Sequence, residues 1–159
     1  NLLGDDIAYL KGIADGVNFS GVQLSRVTNQ SIATSTTELI TWTAENYDYG
    51  SWWSTGTTAT VPAGAIPSGF TTIGILCFGR LQYAANSTGN RRIRVLKTGV
   101  SFGSRTVGGL STDPTDATIT EMGIMSAGDT LTVEAYQTSG GALNVVEANI
   151  TWLRYAPAV

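Results

Sequence analysis

The chain has 159 residues, of which 42% are hydrophobic and 13% are charged, and its formal net charge is −3 at pH 7. This length is enough for one domain with its own core, and the weakly acidic charge argues against nucleic acid as a partner. The chain contains no histidine. That absence excludes histidine-based triads, histidine general bases and most zinc sites.

Residues 1–17 differ from the rest of the chain because their apolar residues recur at alternating steps of four and three. The positions of this heptad seam are Leu3, Ile7, Leu10, Ala14 and Val17. The seam is too short for an independent coiled coil, and each of its three glycines weakens a helix by about 1 kcal/mol relative to Ala. We therefore expect a helical stalk or linker over residues 1–19, either as a coiled coil or as one amphipathic helix packed on the domain. Because the chain begins with Asn1 and not Met, we expect a processed chain or part of a longer one.

From residue 20 onward, short apolar and β-branched runs alternate with Gly, Pro, Asn and Ser. This pattern predicts strands near residues 22–28, 38–43, 57–61, 70–81, 91–98, 101–107, 116–124, 129–137 and 144–155. No second helical pattern interrupts them, so residues 20–159 are predicted to form an all-β, two-sheet antiparallel sandwich. No apolar run approaches the ~18 residues of a membrane helix, and we expect no membrane insertion.

The stretch FTTIGILCFGRL, residues 70–81, is apolar on both faces of the predicted strand. Ile73, Ile75, Cys77 and Leu81 fall on one face, whereas Phe70, Leu76 and Phe78 fall on the other. A sandwich strand normally has one solvated face. The second face is covered either by the far side of a thick domain or by another subunit, and we favour a subunit interface made by Phe70, Leu76 and Phe78. The lone cysteine, Cys77, is expected to be a buried structural thiol.

The stretch ENYDYGSWW places aromatic residues beside carboxylates within nine residues. Aromatic rings stack on the apolar faces of sugars, and acids accept hydrogen bonds from sugar hydroxyls. The candidate receptor or glycan contacts are Tyr47, Asp48, Tyr49, Trp52 and Trp53. Consecutive Trp52 and Trp53 point in opposite directions if the chain is extended, so one of them is expected in the core. The other is expected in a subunit interface, in a ligand contact or simply at the surface.

The charged stretches have simpler interpretations. In NRRIRVLK, Arg92 and Arg94 share one face of a strand, while Arg91 and Lys97 lie at the ends of the other. No aromatic platform interleaves these charges, so we expect a solvated face or ion pairs with a neighbouring subunit, and no nucleic-acid site.

The sequence has no phosphate-binding loop, no Gly-x-Ser-x-Gly elbow and no metal-ligand spacing. It therefore predicts no enzyme, no cofactor and no metal site.

Three stretches read in order carry a resemblance to a known family. VQLSRVTNQSIAT, ITWTAENYDYGSWW and AGDTLTVEAYQTSGGALNVVEANITWLRYAP resemble the trimeric jelly rolls of the tumour-necrosis-factor and complement globular-head type. More specifically, they resemble the versions at the C-termini of tailed-bacteriophage tail and head fibres. The most specific matches are Tyr47-Asp48 and Gly128-Asp129 followed by Gln137-Thr138-Ser139-Gly140. In the middle the chain has IPSGF, with Phe70 where the family usually has Tyr.

The resemblance implies a homotrimeric, non-enzymatic virion protein that binds a host receptor or glycan on its loops, or caps a fibre. The N-terminal segment would join other virion proteins. Fold alone does not fix function. Two alternatives are a capsid-decorating (cement) protein, which would bind other virion proteins and no receptor, and a monomeric carbohydrate-binding module of a secreted protein.

Overall fold

The computed structural model describes the backbone of residues 20–158 and the side chains of residues 20–155. The predicted helical segment over residues 1–19 lies outside the described residues. The described chain forms β1 (Gly21–Arg26), β2 (Gln30–Ile32), β3 (Thr37–Leu39), β4 (Ala44–Tyr49), β5 (Thr58–Thr60), a 3-10 turn (Ala63–Ala65), β6 (Thr72–Tyr83), β7 (Asn90–Lys97), β8 (Val100–Gly108), β9 (Thr115–Ser126), β10 (Thr130–Gln137) and β11 (Leu143–Ala158). The predicted all-β class is confirmed. Within this part of the chain, no helix is long and apolar enough to cross a bilayer.

The strands form two antiparallel sheets. Sheet A has the order β4-β1-β11-β6-β9, with β2 also paired to β11, and sheet B has the order β3-β10-β7-β8, with β5 also paired to β10. Neighbours within each sheet are mostly distant in sequence, since β1 lies beside β11 and β3 beside β10. This is the connectivity of a two-sheet jelly roll, as the sequence predicted.

The core lies between the two sheets and follows the two-residue alternation of the strands. On β6, the inward side chains of Ile73, Ile75, Cys77 and Leu81 are all fully buried, as predicted. Val133 and Ile93 of sheet B face them and are equally buried. Gly79 of β6 has no room for a side chain in this core, because an added Cβ would lie 2.6 Å from Ile150 Cδ1 of the same sheet and 3.1 Å from Ile93 Cδ1 of sheet B.

The two ends of the sandwich are distinguished by where the described chain begins and ends. Gly21 pairs with Leu153, and Thr72 pairs with both Ser126 and Ala158, so the described chain enters and leaves at one end. We call this the terminal end. The opposite end, reached by β6 at Tyr83, is called the far end. With about 3.3 Å per residue, the twelve residues of β6 separate the two ends by roughly 36 Å.

Two strands, β2 and β4, were not predicted from the sequence. Strand β2 is only three residues long. Strand β4 is an edge strand whose register on β1 shifts between Gln23 and Leu24, and four of its six side chains are exposed. The irregular register removes the clean apolar alternation by which strands are recognised. The candidate contacts Tyr47, Asp48 and Tyr49 therefore lie on an edge strand, where the sequence predicts none.

Candidate functional site

The outer face of sheet A carries a continuous group of apolar side chains, which we call the apolar strip. Its members are Leu76 and Phe78 of β6, Met122 and Ile124 of β9, and Leu153 and Tyr155 of β11. Met122 is 66% exposed, Ile124 57% and Phe78 43%. Most of the apolar area on a monomer surface is scattered singly, so a contiguous patch marks an interaction surface.

Strand register brings the members of the strip together. Leu76 lies opposite Met122 on one side and opposite Leu153 on the other, forming one row across three strands. The ring of Tyr155 covers Gly74, where a Cβ would come within 2.7 Å of the ring. A side chain at position 74 would therefore displace Tyr155, so the glycine is part of what shapes the strip.

A polar group borders the apolar strip on the side of the far end. Arg80 on β6 forms ion pairs with Asp116 of β9, at 3.2 Å, and with Glu147 of β11, at 3.0 Å. All three side chains are about a third or more exposed to solvent. Exposed pairs of this kind contribute only about 0–1 kcal/mol. They divide the outer face of sheet A into an apolar half and a charged half.

The three residues predicted for a subunit interface lie in this region. Leu76 and Phe78 are on the outer face of β6, within the apolar strip. Phe70 precedes β6, in a turn where its N–H bonds to the carbonyl of Pro67, and it is 42% exposed. Sequence reasoning missed Met122 and Ile124, although their alternation with buried neighbours along residues 115–126 is regular.

Tyr47 and Tyr49 lie on the same face of sheet A, at the opposite edge from β9. Their ring centroids are 5.6 Å apart and the rings are tilted by 31°. Burial raises the pKa of Tyr47, opposed by a hydrogen bond with Thr151 of β11. This hydrogen bond reaches across β1, so the tyrosine pair and the apolar strip belong to one surface.

Asp48 and the two tryptophans form a tight turn after β4. The Asp48 carboxylate accepts hydrogen bonds from the backbone N–H of Trp52 (2.8 Å) and of Trp53 (2.9 Å) through its two oxygens. Trp52 is 2% exposed, and its indole N–H donates to Ser20 Oγ at 2.9 Å. Trp53 packs partly buried against the core. Trp52 is therefore the core member of the pair, and Asp48 acts locally to hold the turn.

The basic side chains of β7 are paired with groups of the same subunit. On the outer face of sheet B, Arg94 forms an ion pair with Glu134, and Arg92 lies over the ring of Tyr136 at 4.5 Å. Lys97 pairs with Asp129 at 3.1 Å. These contacts pair Arg92, Arg94 and Lys97 with groups of their own subunit.

No cluster with reactive geometry emerges from the described residues. Cys77 is buried, and burial raises the pKa of its thiol to about 12. Asp113 accepts a hydrogen bond from Thr112 in an exposed turn, whereas Asp116 pairs with Arg80. Within residues 20–158, no three carboxylate or cysteine groups are placed to hold a metal ion.

Comparison with solved structures places the fold among known ones. The structure is similar to murine APRIL at pH 8.0, with a TM-score of 0.62 and 14% identity over 86% of this chain and 98% of that chain. It is similar to Eiger TNF from S. frugiperda, with a TM-score of 0.55 and 14% identity over 89% and 95% of the two chains. It is also similar to the globular domain of zebrafish complement 1qA protein, with a TM-score of 0.53 and 10% identity over 87% and 99%.

These likenesses establish the class of fold. The described chain has a jelly-roll fold similar to that of tumour-necrosis-factor and complement globular-head domains. No family model matches the sequence, and no curated protein matches it. At 10–14% identity the structural likeness concerns fold alone, so function has to be argued from the surfaces of this chain.

Proposed function

We propose that the domain is a non-enzymatic, homotrimeric head at the end of a virion fibre, where it attaches the particle to a host surface. The apolar strip on the outer face of sheet A is the observation that carries the proposal. Five of the ten exposed large hydrophobic side chains of the described residues lie on this one face, namely Tyr49, Phe78, Met122, Ile124 and Tyr155. A second and a third copy of the chain cover it.

The position of the aromatic residues supports a closed ring of three. A cyclic trimer uses two different patches on each subunit, because the contact runs head to tail. The strip reaches the β9 edge of sheet A, and the pair of Tyr47 and Tyr49 lies at the β4 edge. The β9 side of one subunit therefore packs against the tyrosine side of the next. The sequence resemblance to trimeric head domains also supports three subunits.

The location on a virion and the role in attachment follow from the resemblance to bacteriophage fibre domains. The terminal end joins the fibre through residues 1–19 and other virion proteins, which leaves the far end exposed. A cement protein with the same trimer would bind capsid and no host surface. A carbohydrate-binding module would stay monomeric with its apolar strip exposed, which the amount of apolar surface disfavours.

A pair of matched charge substitutions tests the proposal. Met122→Glu places a carboxylate in the apolar strip, and Val100→Glu places one at a 71% exposed position on β8 of sheet B. Light scattering coupled to gel filtration should give a monomer mass for Met122→Glu and an unchanged trimer mass for Val100→Glu. Adsorption of both proteins to host cells then shows whether attachment depends on the trimer. Assembly that survives Met122→Glu would contradict the proposal.

A further inference from the structure

We infer that four loops at the far end form a preorganised platform that binds a neutral, hydroxyl-rich glycan; this inference rests on the attachment role proposed above. The platform consists of residues 33–36, 84–89, 109–114 and 138–142. It is the end of the sandwich that points away from both ends of the described chain.

The loops of the platform are bonded to one another. Thr138 N–H donates to the carbonyl of Asn90 (3.1 Å), and Asn90 N–H donates to Thr138 Oγ1 (2.9 Å). Gly109 N–H donates to the carbonyl of Gly89 at 3.0 Å, and Asn86 N–H donates to the carbonyl of Leu110 at 2.8 Å. Each loop therefore fixes its neighbour.

A further bond and a close approach complete the platform. Gly140 N–H donates to Thr34 Oγ1 at 3.2 Å, which ties residues 138–142 to residues 33–36. Gly89 has a φ of +72°, and an added Cβ would lie 2.0 Å from the carbonyl oxygen of Thr138. Only glycine fits this position, because any side chain would push the two loops apart.

Buried polar side chains hold the platform from below. Four polar or charged side chains of the described residues are buried, and three of them, Arg91, Thr115 and Gln137, serve these loops. Gln137 donates to the carbonyls of Ile32 (2.9 Å) and Gly141 (2.8 Å) and accepts from Ser139 N–H (2.6 Å). Thr115 Oγ1 accepts from Leu110 N–H at 3.0 Å.

Of the three buried side chains, Arg91 has the largest free-energy cost of burial, because it carries a charge. Its guanidinium donates to the carbonyls of Asn86 (2.8 Å), Thr88 (3.0 Å) and Asn90 (3.0 Å), and its Nε has no partner among the described atoms. Within residues 20–155, no carboxylate forms an ion pair with it. A buried charge without a counter-ion destabilises a fold, and turns that merely connect strands do not need a buried arginine to hold them. Fixed loop geometry is what a binding surface requires.

The exposed chemistry of the platform selects the partner. Nine of the residues in these loops are Ser or Thr, and Asp113 is their only charged residue. Leu110, 52% exposed, is the one exposed large hydrophobic side chain that the described residues place there. An anionic partner finds no positive charge in these loops and a cationic partner finds only Asp113, while a protein interface normally centres on aromatic or Arg anchors.

A neutral glycan fits what remains. Its hydroxyl groups both donate and accept hydrogen bonds, as do the Ser and Thr hydroxyls, and its apolar C–H face packs on Leu110. Individual hydrogen bonds of this kind are weak, so the glycan binds only if little entropy is lost on binding. Rigid loops keep that loss small because they are already ordered before the glycan arrives. Three copies of the platform on one trimer would then raise the strength of attachment through avidity.

Four arginine substitutions of exposed residues test the location. Ser87→Arg and Thr112→Arg add a bulky charge to the platform, while Ser54→Arg and Thr55→Arg add the same group to the exposed loop between β4 and β5, outside the platform. Each protein is coupled to beads at high density and probed with a panel of neutral and acidic polysaccharides. We expect the half-saturating concentration of neutral polysaccharide to rise at least ten-fold for the platform variants, and the Ser54→Arg and Thr55→Arg proteins to bind as the original protein does.

A buried pair tests whether rigidity matters. Thr115→Val removes the acceptor of Leu110 N–H without changing the exposed surface, and Thr118→Val makes the same change at an exposed position of β9. We expect Thr115→Val alone to speed hydrogen exchange at Leu110 and to weaken glycan binding several-fold.

The inference is overturned if the original protein binds no neutral polysaccharide, if it binds only acidic ones, or if the Ser54→Arg and Thr55→Arg proteins lose binding and the platform variants keep it. Dense coupling supplies avidity regardless of assembly, so a monomer found by light scattering would contradict the proposed trimer and leave this test intact.

Discussion

The hydroxyl of Tyr83, on sheet A, accepts a hydrogen bond from the backbone N–H of Tyr136, on sheet B, at 3.2 Å. The same hydroxyl donates to the carbonyl of Arg92 at 2.6 Å, and burial raises the pKa of Tyr83, so the group stays neutral. The two sheets are thus joined by a polar contact at the edge of the core, close to the far end.

Tyr83→Phe should therefore destabilise the domain by about 1–2 kcal/mol, because it leaves a buried carbonyl and a buried N–H without their partner. Tyr155→Phe, at a 52% exposed position, is the control and should change the free energy of unfolding by less than about 0.5 kcal/mol. Urea denaturation measures both. Equal stability of Tyr83→Phe and the original protein would show that the cross-sheet bond contributes nothing.

A second prediction concerns the close packing of core side chains around Gly79. In Gly79→Ala, the new methyl group would lie 2.6 Å from Ile150 Cδ1 and 2.9 Å from Ile119 Cγ2, so the core must shift. We expect a loss of about 1–3 kcal/mol in the free energy of unfolding. Gly108→Ala on β8 is the matched control, because its Cβ would meet no atom within 4 Å. A Gly79→Ala protein as stable as Gly108→Ala would contradict the packing described.

Asp129 gives a prediction for pH dependence. Burial alone would raise the pKa of its carboxyl, but hydrogen bonds from Ser126 N–H, Lys97 and Thr98 outweigh burial and hold the pKa below its usual range. A carboxyl whose pKa is lower in the folded state stabilises the fold above its unfolded pKa. That contribution is lost as the pH falls through the folded-state pKa.

Asp129→Asn should accordingly be less stable than the original protein at pH 7 by about 1–2 kcal/mol. The difference should shrink between about pH 5 and pH 2, as the original protein loses its charged hydrogen bonds. Thermal unfolding across this range measures it. A difference that stays constant down to pH 2 would mean that the carboxylate charge at Asp129 is unimportant.

The aromatic turn after β4 separates two effects of substitution. Trp52→Ala removes a buried ring and should cost about 3–5 kcal/mol of stability. Tyr49→Ala, at a 56% exposed position, should leave the unfolding temperature of the isolated domain almost unchanged but weaken assembly. Gel filtration and calorimetry on both variants check this. A trimer that persists in Tyr49→Ala at micromolar concentration would remove the tyrosine edge from the subunit contact.

Much of the fold could be predicted because the long strands keep a regular alternation. Leu131, Val133 and Ala135 of β10 are all fully buried, as their spacing indicates. The edge strand β4 could not be predicted, because its register shifts and its exposed side chains carry no apolar period. The two-sided apolar character of residues 70–81 indicated the apolar strip, through Leu76 and Phe78.

The remainder of the candidate surfaces depends on tertiary structure. Met122 and Ile124 join the strip only because β9 pairs with β6, a pairing between segments more than thirty residues apart. The role of Arg91 in bonding to loop carbonyls could not be predicted either, since a basic stretch on a strand normally indicates a solvated face. Its burial depends on carbonyl groups of the loop after β6, which no local pattern brings to it.

The most direct test of the central claim is the molar mass of the original protein in solution. Light scattering coupled to gel filtration, run from nanomolar to micromolar concentration, should give about three times the 16.7 kDa of one chain, because the apolar strip of each copy is covered by the next. A single species of about 16.7 kDa at micromolar concentration would contradict the account.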